Sequence, residues 1–493
     1  MANPLWRKKS ISDLIHSSTN QERGLKRTLT STNLIALGIG AIIGAGLFVR
    51  TAAAAAQNAG PSVTLGFIVA AIGCGLAGLC YAELSSSIPI AGSAYTYSYA
   101  TMGEFIAWII GWDLVLEYAV GAATVGIAWS EYLNNLLVNV MHWKAIPYEW
   151  CHSPFEVSTL GVHGMINLPA FFIVALLSLL LIRGTHESAL VNGVIVVAKV
   201  AIVVMIIVLG WSFINPVNHT PYIPAATTYI DSQNISHNFG GFWGVIGAAG
   251  VVFFAFIGFD AVSTAAQEAK NPGRDMPIGI LGSLIICTIL YILFAHVLTG
   301  MGTVEDFRTT GKEASVSFVI QKYMVGYSWL ANLVTIAILA GFSSVILVML
   351  LGQSRVFYSM SLDGLLPKSL GEVHPKYKTP YKANLFILVI VGLFAAFIPG
   401  DVVGDMTSIG TLFAFILVCA GVIILRKTNP DLPRKFKTPW VPFVPILGIC
   451  ICFLMILGLG WTNWLRLGVW LVIGLVIYFA YSRKNSKLNS PNS

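Results

Sequence analysis

The sequence carries very little charge for its length. Asp, Glu, Lys and Arg make up 10% of its 493 residues, whereas soluble globular domains carry about 25%. Hydrophobic residues account for 56% of the chain, and the mean hydropathy is +0.77. Because such a composition cannot cover a water-exposed surface, the sequence predicts a polytopic membrane protein.

Cysteine and catalytic patterns are also scarce. Six of the seven cysteines lie in apolar segments and only Cys151 lies in a predicted loop, without the spacing of a disulfide framework or a zinc site. No His-Glu-x-x-His, Gly-x-Ser-x-Gly or paired-Asp pattern falls within an apolar segment, so an intramembrane enzyme is not expected. The first thirty residues are polar and basic, and no cleaved signal peptide is expected there.

Long apolar runs are what the chain has instead. A membrane span needs roughly 20 consecutive apolar residues, and twelve runs are of about that length. They cover residues 32–56, 63–88, 105–138, 166–182, 189–213, 242–265, 278–300, 330–360, 383–399, 406–425, 441–459 and 465–481. The predicted fold class is therefore an all-α polytopic membrane protein with twelve transmembrane helices.

Lysine and arginine are distributed unevenly between the predicted loops. With the N-terminus placed inside, the inner segments hold 22 of the 29 basic residues, the outer segments hold six, and one, Lys199, lies within a span. Because inner loops are enriched in Lys and Arg, this predicts a multi-pass protein of the cell membrane with both termini cytoplasmic. The net charge of +7 is thus a topology signal and does not indicate a nucleic-acid partner.

Glycine interrupts the first apolar run. The segment Gly38–Phe48, GIGAIIGAGLF, holds four glycines, and each costs roughly 1 kcal/mol relative to alanine inside a helix. Glycine also lets the backbone unwind and approach a ligand, and unwound backbone in a membrane is tolerated where it lines a cavity. We expect a broken helix that binds a small zwitterion, with close helix packing through Gly40 and Gly44 as the alternative.

A second candidate break lies in the sixth run. Gly258 stands in the middle of Phe253–Glu268, FFAFIGFDAVSTAAQE. Two breaks five spans apart indicate inverted repeats with a binding site at the midplane. The predicted units are an N-terminal segment 1–30, a first repeat 31–213, an outer loop 214–241, a second repeat 242–425, a segment 426–482 with an inner loop and spans eleven and twelve, and a tail 483–493.

Four motifs carry a family resemblance. They are GIGAIIGAGLF (Gly38–Phe48), YAELSSSIPIAGSAYTYSYATMGEFIAWIIGWDLVLEY (Tyr81–Tyr118), FFAFIGFDAVSTAAQEAKNPGRDMPIGI (Phe253–Ile280) and GQSRVFYSMSLDGLLP (Gly352–Pro367). In this order they resemble the amino acid–polyamine–organocation superfamily, in particular bacterial proton-coupled members of its cationic amino acid transporter branch. The resemblance implies a LeuT-like five-plus-five inverted repeat with two additional C-terminal helices, and secondary transport of an amino acid.

The resemblance also implies backbone binding roles. The substrate carboxylate would meet four N–H groups at the start of a half-helix, a position that favours anions. These groups belong to Ile43, Gly44, Ala45 and Gly46. The α-ammonium would be held by the carbonyls of Ile42, Phe254 and Ile257. Phe254 also matches an aromatic residue that closes over the substrate in relatives, with a packed core phenylalanine as the alternative.

Two ionisable residues deep in the membrane are candidates for proton coupling. Lys199 is the eleventh residue of span five, at a depth of roughly 16 Å at 1.5 Å per residue. In proton-coupled relatives a span-five lysine replaces a sodium ion and bonds carbonyls near the span-one break, and Lys199 matches that position, with a structural salt bridge as the alternative. Glu117 of span three lies at a similar depth; it or Asp113 could pair with the lysine or serve a proton path.

Three acidic residues are expected near the cytoplasmic ends of their spans. Asp260, Glu268 and Glu83 are predicted to take part in gating, or in ion pairs with Lys270 or Arg355, and not to contact the substrate directly.

Substrate choice is expected to depend on span eight. Met349 matches a position that faces the site, where relatives with cationic substrates tend to have a small residue. A flexible thioether would make the pocket shorter and apolar. Small neutral amino acids such as alanine are therefore predicted, with cationic amino acids as the alternative.

The sequence as a whole predicts proton-coupled symport of an L-amino acid by alternating access. An amino acid or polyamine exchanger of the same fold is the alternative, and a membrane sensor or channel is a third class, which would need a signalling domain or a polar-lined pore. The expected partners are the amino acid and the lipid bilayer, and a small membrane subunit is left open. No metal and no cofactor are expected besides the coupled proton.

Overall fold

The computed structural model describes residues 6–10, 29–88, 93–158, 160–183, 189–231, 236–266, 268–309, 315–377 and 379–489. Most of the predicted N-terminal segment 1–30 and the last residues of the tail lie outside these ranges. The described chain is mostly helical, because apolar runs in a bilayer satisfy their own backbone hydrogen bonds only as helices or closed barrels.

The helices follow one another in the predicted order. Before the long loop 214–241 they are α1 (Ser31–Ile42), α2 (46–59), α3 (Val63–Ser87), the short α4 (Ser93–Thr101), α5 (Glu104–Val140), α6 (Leu168–Arg183) and α7 (Ala189–Gly210). After it they are α8 (Gly241–Val252), α9 (Ala261–Thr264), α10 (Pro272–Met301), the short α11 (Val304–Thr309) and α12 (Ser315–Tyr323), α13 (Ser328–Leu362), α14 (Tyr381–Phe397), α15 (Gly400–Thr428), α16 (Phe443–Gly458) and α17 (Trp461–Asn485).

These helices account for twelve spans. Eight described helical segments are long and apolar enough to cross a membrane, and α1, α6, α14 and α16 are shorter apolar helices. The helices α2 and α3 follow each other without a loop and are separated at Gly60, whose φ is +55°. With α1 and α2 as the halves of span one, and α8 and α9 as the halves of span six, the twelve spans follow in the predicted order.

The chain leaves helical geometry at both glycine-containing positions. Between α1 and α2, Ile43 is extended, with φ −73° and ψ 101°. After α8 comes a 3-10 turn, Phe253–Phe256. Ile257 is then extended, with φ −58° and ψ 134°, and Gly258 has a φ of +115°, which residues with a Cβ rarely adopt.

The long loop between α7 and α8 covers the end of α2. It contains two antiparallel strands, β1 (Thr227–Ile230) and β2 (Ser236–Phe239). The guanidinium of Arg308, in α11, lies 4.2 Å from the ring centroid of Tyr229 and 4.7 Å from that of Phe239. Its Nε also donates to the Ala56 carbonyl at 3.0 Å. Arg308 therefore joins α11, the hairpin and α2.

Aromatic rings pack behind the second break. Phe253 and Phe259 pack against Phe415 of α15, with ring centroids 5.4 and 5.1 Å apart. Phe256 packs against Tyr291 of α10 at 5.3 Å. Phe254 is buried as well, but it stacks on no ring of the described residues. All four phenylalanines are thus core residues, and Phe254 differs from the others only in having no ring partner among the described residues.

A buried ion pair ties α3 to α15. Glu83 is fully buried, and its carboxylate accepts hydrogen bonds from Nε and Nη2 of Arg426 at 2.7 and 2.9 Å and from the amide of Thr438 at 2.8 Å. We expected Lys270 or Arg355 as the partner of Glu83, and this was wrong, because α3 packs against α15, whose last turn carries Arg426. The Nε of Arg434 lies 3.2 Å from the same carboxylate, so removing Glu83 would leave two guanidinium groups without this partner.

Candidate functional site

The two broken helices meet backbone to backbone. A Cβ built on Gly46 would lie 2.1 Å from the Cα of Ala255, and one built on Gly258 would lie 3.0 Å from the carbonyl carbon of Ala41. Only glycine at position 46 permits the first contact, because real Cβ atoms essentially never approach another atom so closely. Gly46 is therefore required by the packing of α2 against the second break, a reason that the sequence did not indicate.

Three buried amides at the first break and the start of α2 have no acceptor among the described residues. Those of Gly44, Ala45 and Gly46 donate no hydrogen bond to any described residue, and the next amide, that of Leu47, bonds the Gly44 carbonyl at 3.2 Å. Buried N–H groups without an acceptor are rare in proteins, and a helix N-terminus attracts anions. These three amides can donate hydrogen bonds to a carboxylate.

Two of the predicted backbone groups already have protein partners. The amide of Ile43 donates to the Ile39 carbonyl at 2.9 Å and so belongs to α1, which leaves three of the four predicted amides for an anion. The Ile42 carbonyl accepts from the Tyr291 hydroxyl at 2.9 Å, and the same hydroxyl lies 3.0 Å from the Ala255 carbonyl. A single tyrosine thus bridges the two breaks.

Tyr291 was not among the predicted site residues. The signal for it is the single tyrosine in the apolar run SLIICTILYILF of α10, because a buried tyrosine hydroxyl usually has a hydrogen-bond partner.

The second break supplies carbonyl groups. The Phe254 carbonyl accepts from the Ile257 amide at 3.3 Å, whereas the Ile257 carbonyl accepts no hydrogen bond from the described residues. A carbonyl oxygen has two lone pairs, so each can accept from an ammonium group. Both carbonyls belong to the second break, where Ala255 lies against Gly46.

Lys199 of α7 lies against the end of α1. Its side chain is 4% exposed, and Nζ donates to the Gly40 carbonyl at 3.0 Å. Gly40 is in the last turn of α1, where carbonyls lack intrahelical partners and the helix dipole favours a cation. The protonated amine therefore stabilises the chain end that the first break creates.

Glu117 of α5 lies beside other acidic residues. It is fully buried, and neither of its oxygens has a hydrogen-bond partner among the described residues. It interacts electrostatically with Asp260 and Asp113, and the Tyr118 hydroxyl donates to Asp260. The structure therefore does not join Glu117 to Lys199 by a hydrogen bond.

The expected ion pair of Asp260 with Lys270 or Arg355 is wrong for the described part of the chain. The second break carries Asp260 into the interior, where it is fully buried. No sequence period predicts this placement, because residues 257–260 follow neither a helical nor an extended repeat.

Helix α13 forms one wall of the site. A Cβ built on Gly44 would lie 3.1 Å from Cγ2 of Val345, and one built on Gly121 of α5 would lie 3.3 Å from Sδ of Met349. Val345 and Met349 are four residues apart and therefore share a helix face. Met349 lies one turn from the contact with Gly44, and Val345 is an additional wall residue.

A buried arginine closes the predicted outer side. Arg50 is 3% exposed, although we counted it with the basic residues of an outer loop. Its guanidinium lies 3.4 Å from Asp401 and bonds Asp405, both in α15, and Asn463 donates to Asp405 at 3.2 Å. Asp401 and Asp405 also line a cavity of about 270 Å³. The contact joins α2 to α15 above the breaks.

Backbone hydrogen bonds close the predicted inner side. The Leu29 amide donates to the Glu268 carbonyl at 2.9 Å, and the Lys270 amide donates to the Leu29 carbonyl at 2.9 Å. The side chain of Glu268 makes no ion pair with a described residue, so the expected pair with Lys270 or Arg355 is wrong. The chains before α1 and after α9 are thus joined below the site.

The arrangement suits a small zwitterion. It offers three amides for an anionic group, carbonyls for a cationic group, and a lysine whose proton stabilises the same break. The described residues contain no cluster of three or more His, Cys, Asp or Glu that could hold a metal ion.

Comparison with known proteins gives consistent matches. A family model described as amino acid permease matches residues 29–480. The chain is 46% identical to a branched-chain amino acid permease of Bacillus subtilis, over 99% of this chain and all of the relative. It is 39% identical to a methylthioribose transporter of the same organism, over 98% and 99%, and 33% identical to a vacuolar cationic amino acid transporter of Arabidopsis thaliana, over 87% and 68%.

The glycine contacts lead to a graded prediction. Gly46→Ala should lower the thermal unfolding temperature and abolish substrate binding, because its methyl group would push α2 away from Ala255. Overpacking of this kind typically costs about 1–3 kcal/mol. In Gly44→Ala the new methyl group would lie 3.1 Å from the Val345 side chain and not against backbone, so this variant should be destabilised less than Gly46→Ala and should bind more weakly than the wild type. Thermal unfolding and equilibrium binding of purified protein measure both effects. Wild-type binding by Gly46→Ala would contradict the described contact.

Proposed function

Because this chain belongs to the amino acid permease family, we propose that it is a secondary transporter that moves an L-amino acid into the cell together with a proton. Its membrane character and its relatives support a transport role and not an enzyme activity. The single observation that carries the proton-coupled mechanism is the hydrogen bond from Lys199 to Gly40, at the end of the helix whose break presents the three free amides.

Proton coupling follows from the position of this amine. When protonated, Lys199 neutralises the carbonyl end of α1 and holds the break in the form that presents the amides of Gly44, Ala45 and Gly46. When deprotonated, it loses its positive charge and most of its attraction for the helix end. The break is then free to rearrange, and the bound carboxylate loses its donors. A proton and a substrate thereby stabilise the same conformation.

Glu117 provides a second protonatable group in this proposal. It is fully buried and lies beside Asp260. Because a buried carboxyl without a counter-charge favours its neutral form, Glu117 can hold a proton on the way to the predicted cytoplasmic side.

The substrate proposed is a neutral amino acid with an apolar side chain. Val345 and Met349 make the wall of α13 apolar, and a relative over the full chain is named as a branched-chain amino acid permease. This class includes the small neutral amino acids expected from the sequence and extends it to larger aliphatic side chains. The proposed location is the cell membrane with both termini cytoplasmic, from the distribution of basic residues.

One relative argues for a chemically different substrate, since a methylthioribose transporter is 39% identical over nearly the whole chain. A thermal-shift screen of purified protein separates the two classes, because a bound ligand raises the unfolding temperature by mass action. We expect stabilisation by leucine, valine or alanine. Stabilisation by methylthioribose alone would contradict an amino acid substrate.

Exchange is the alternative mode of transport. Counterflow in proteoliposomes without a pH gradient distinguishes it from symport: an obligate exchanger takes up labelled amino acid only when unlabelled amino acid is inside. A symporter accumulates it in empty vesicles when a proton gradient is imposed.

Lys199→Ala should abolish this accumulation, because no amine remains to couple the gradient to the break. Lys199→Arg should fail as well, because a guanidinium does not release its proton in this range. Uptake is measured in proteoliposomes with an imposed inward proton gradient and equal sodium on both sides. Val197→Ala is the matched control, since Val197 lies on the same helix and is 69% exposed. Gradient-driven accumulation by Lys199→Ala would show that Lys199 is structural and would direct the test to Glu117.

Met349→Ser should admit longer, cationic side chains, because it removes apolar bulk from the wall of α13. Competition by arginine and lysine against labelled leucine uptake should become measurable in this variant and stay absent in Met349→Leu, which keeps the bulk. If arginine competes equally in both variants, Met349 does not limit the pocket.

A further inference from the structure

Gly341 of α13 lies directly against the Lys199 side chain. A Cβ built on Gly341 would lie 2.9 Å from Cε of Lys199, 3.6 Å from Cγ and 3.7 Å from Cδ. The lysine chain therefore occupies the space that a side chain at position 341 would need. The nearest of these atoms, Cε, is bonded to the amine nitrogen that donates to the Gly40 carbonyl.

A small cavity adjoins the same two residues. It has a volume of about 10 Å³, which is room for about one water molecule. Besides Lys199 and Gly341, apolar residues line it, among them Ile202 of α7, and Ile338 and Phe342 of α13. Lys199 thus has little free space, and the space it has is beside Gly341.

Three helices pack against α7 near Lys199: α1, α10 and α13. From α1 the lysine meets the Gly40 carbonyl. From α10 the titratable side chain that interacts with it is the Cys287 thiol, and Tyr291, on the same helix, bonds carbonyls of the two breaks. The residues of α13 that line the cavity carry no titratable group.

We infer that Gly341 is a positioning residue for proton coupling: the missing side chain lets Lys199 extend across α13 and place its amine on the Gly40 carbonyl. This inference rests on the proposed role of Lys199 as the proton carrier. An apolar side chain at position 341 would displace the Lys199 amine from the end of α1. It would also fill the adjoining space with apolar atoms. Both effects disfavour the protonated amine.

The expected result for Gly341→Ala is a shift in the pH dependence of transport. Uptake falls as the external pH rises, and the pH of half-maximal uptake should move down by about one unit, the size expected for a lost hydrogen bond to a charged group. Gly193→Ala is the matched control, because a Cβ on Gly193 of α7 meets nothing within 4 Å. Its midpoint should equal that of the wild type.

A rescue variant tests the cause of the shift. In Gly341→Ala/Ile202→Val, the removed methyl group returns space beside the lysine, and the midpoint should move back toward the wild-type value. If Gly341→Ala alone does not fold, the double variant is measured in its place and should show an intermediate midpoint.

Two outcomes would overturn the inference. One is a Gly341→Ala variant whose maximal uptake is reduced equally at every pH with an unchanged midpoint, which is the result expected if Gly341 only allows helix packing. The other is a double variant whose midpoint equals that of the wild type when Gly341→Ala alone does not fold. In either case, Lys199→Ala is measured in the same preparation. If it loses gradient-driven accumulation, the proposed role of Lys199 as proton carrier is retained and only the role of Gly341 is rejected.

Discussion

The contact between the two broken helices is the constraint on which the rest of the structure depends. Unpaired backbone groups at membrane depth cost several kcal/mol each unless protein or water satisfies them. Here Gly46 lies against Ala255 and Gly258 against Ala41, and Tyr291 bonds a carbonyl of each break. The free amides of α2 are therefore held rigidly in place by neighbours that are themselves packed.

Two contacts, one on each side of the site, connect to the broken helices. Arg50 joins α2 to α15 on one side, and Leu29 joins the chain before α1 to the chain after α9 on the other. Each closure involves one half of span one, and the break lies between them. In the proposed transport cycle, a change in the break releases one closure while the other holds, as alternating access requires. Lys199 acts on the break itself.

The sequence predicted well what local composition determines. The length of the apolar runs predicted the twelve spans, and glycines within two of them predicted the breaks. The depth of Lys199 in its span, together with the family resemblance, predicted that Lys199 lies near span one. It did not predict contacts between distant helices. Tyr291, Val345 and the burial of Arg50 depend on which faces meet, and the partner of Glu83 depends on α3 packing against α15. The predicted position of Asp260 near the end of its span was wrong. That prediction assumed a continuous helix, and the break interrupts the helical period.

The central claim is that protonation of Lys199 and substrate binding stabilise the same conformation. Reciprocity then requires that substrate binding draw a proton onto the protein. Calorimetric titration of purified protein with the amino acid that stabilises it most, in two buffers of different ionisation enthalpy, counts the protons taken up. The account predicts proton uptake on binding by the wild type and none by Lys199→Ala. Equal proton uptake by both proteins would contradict it.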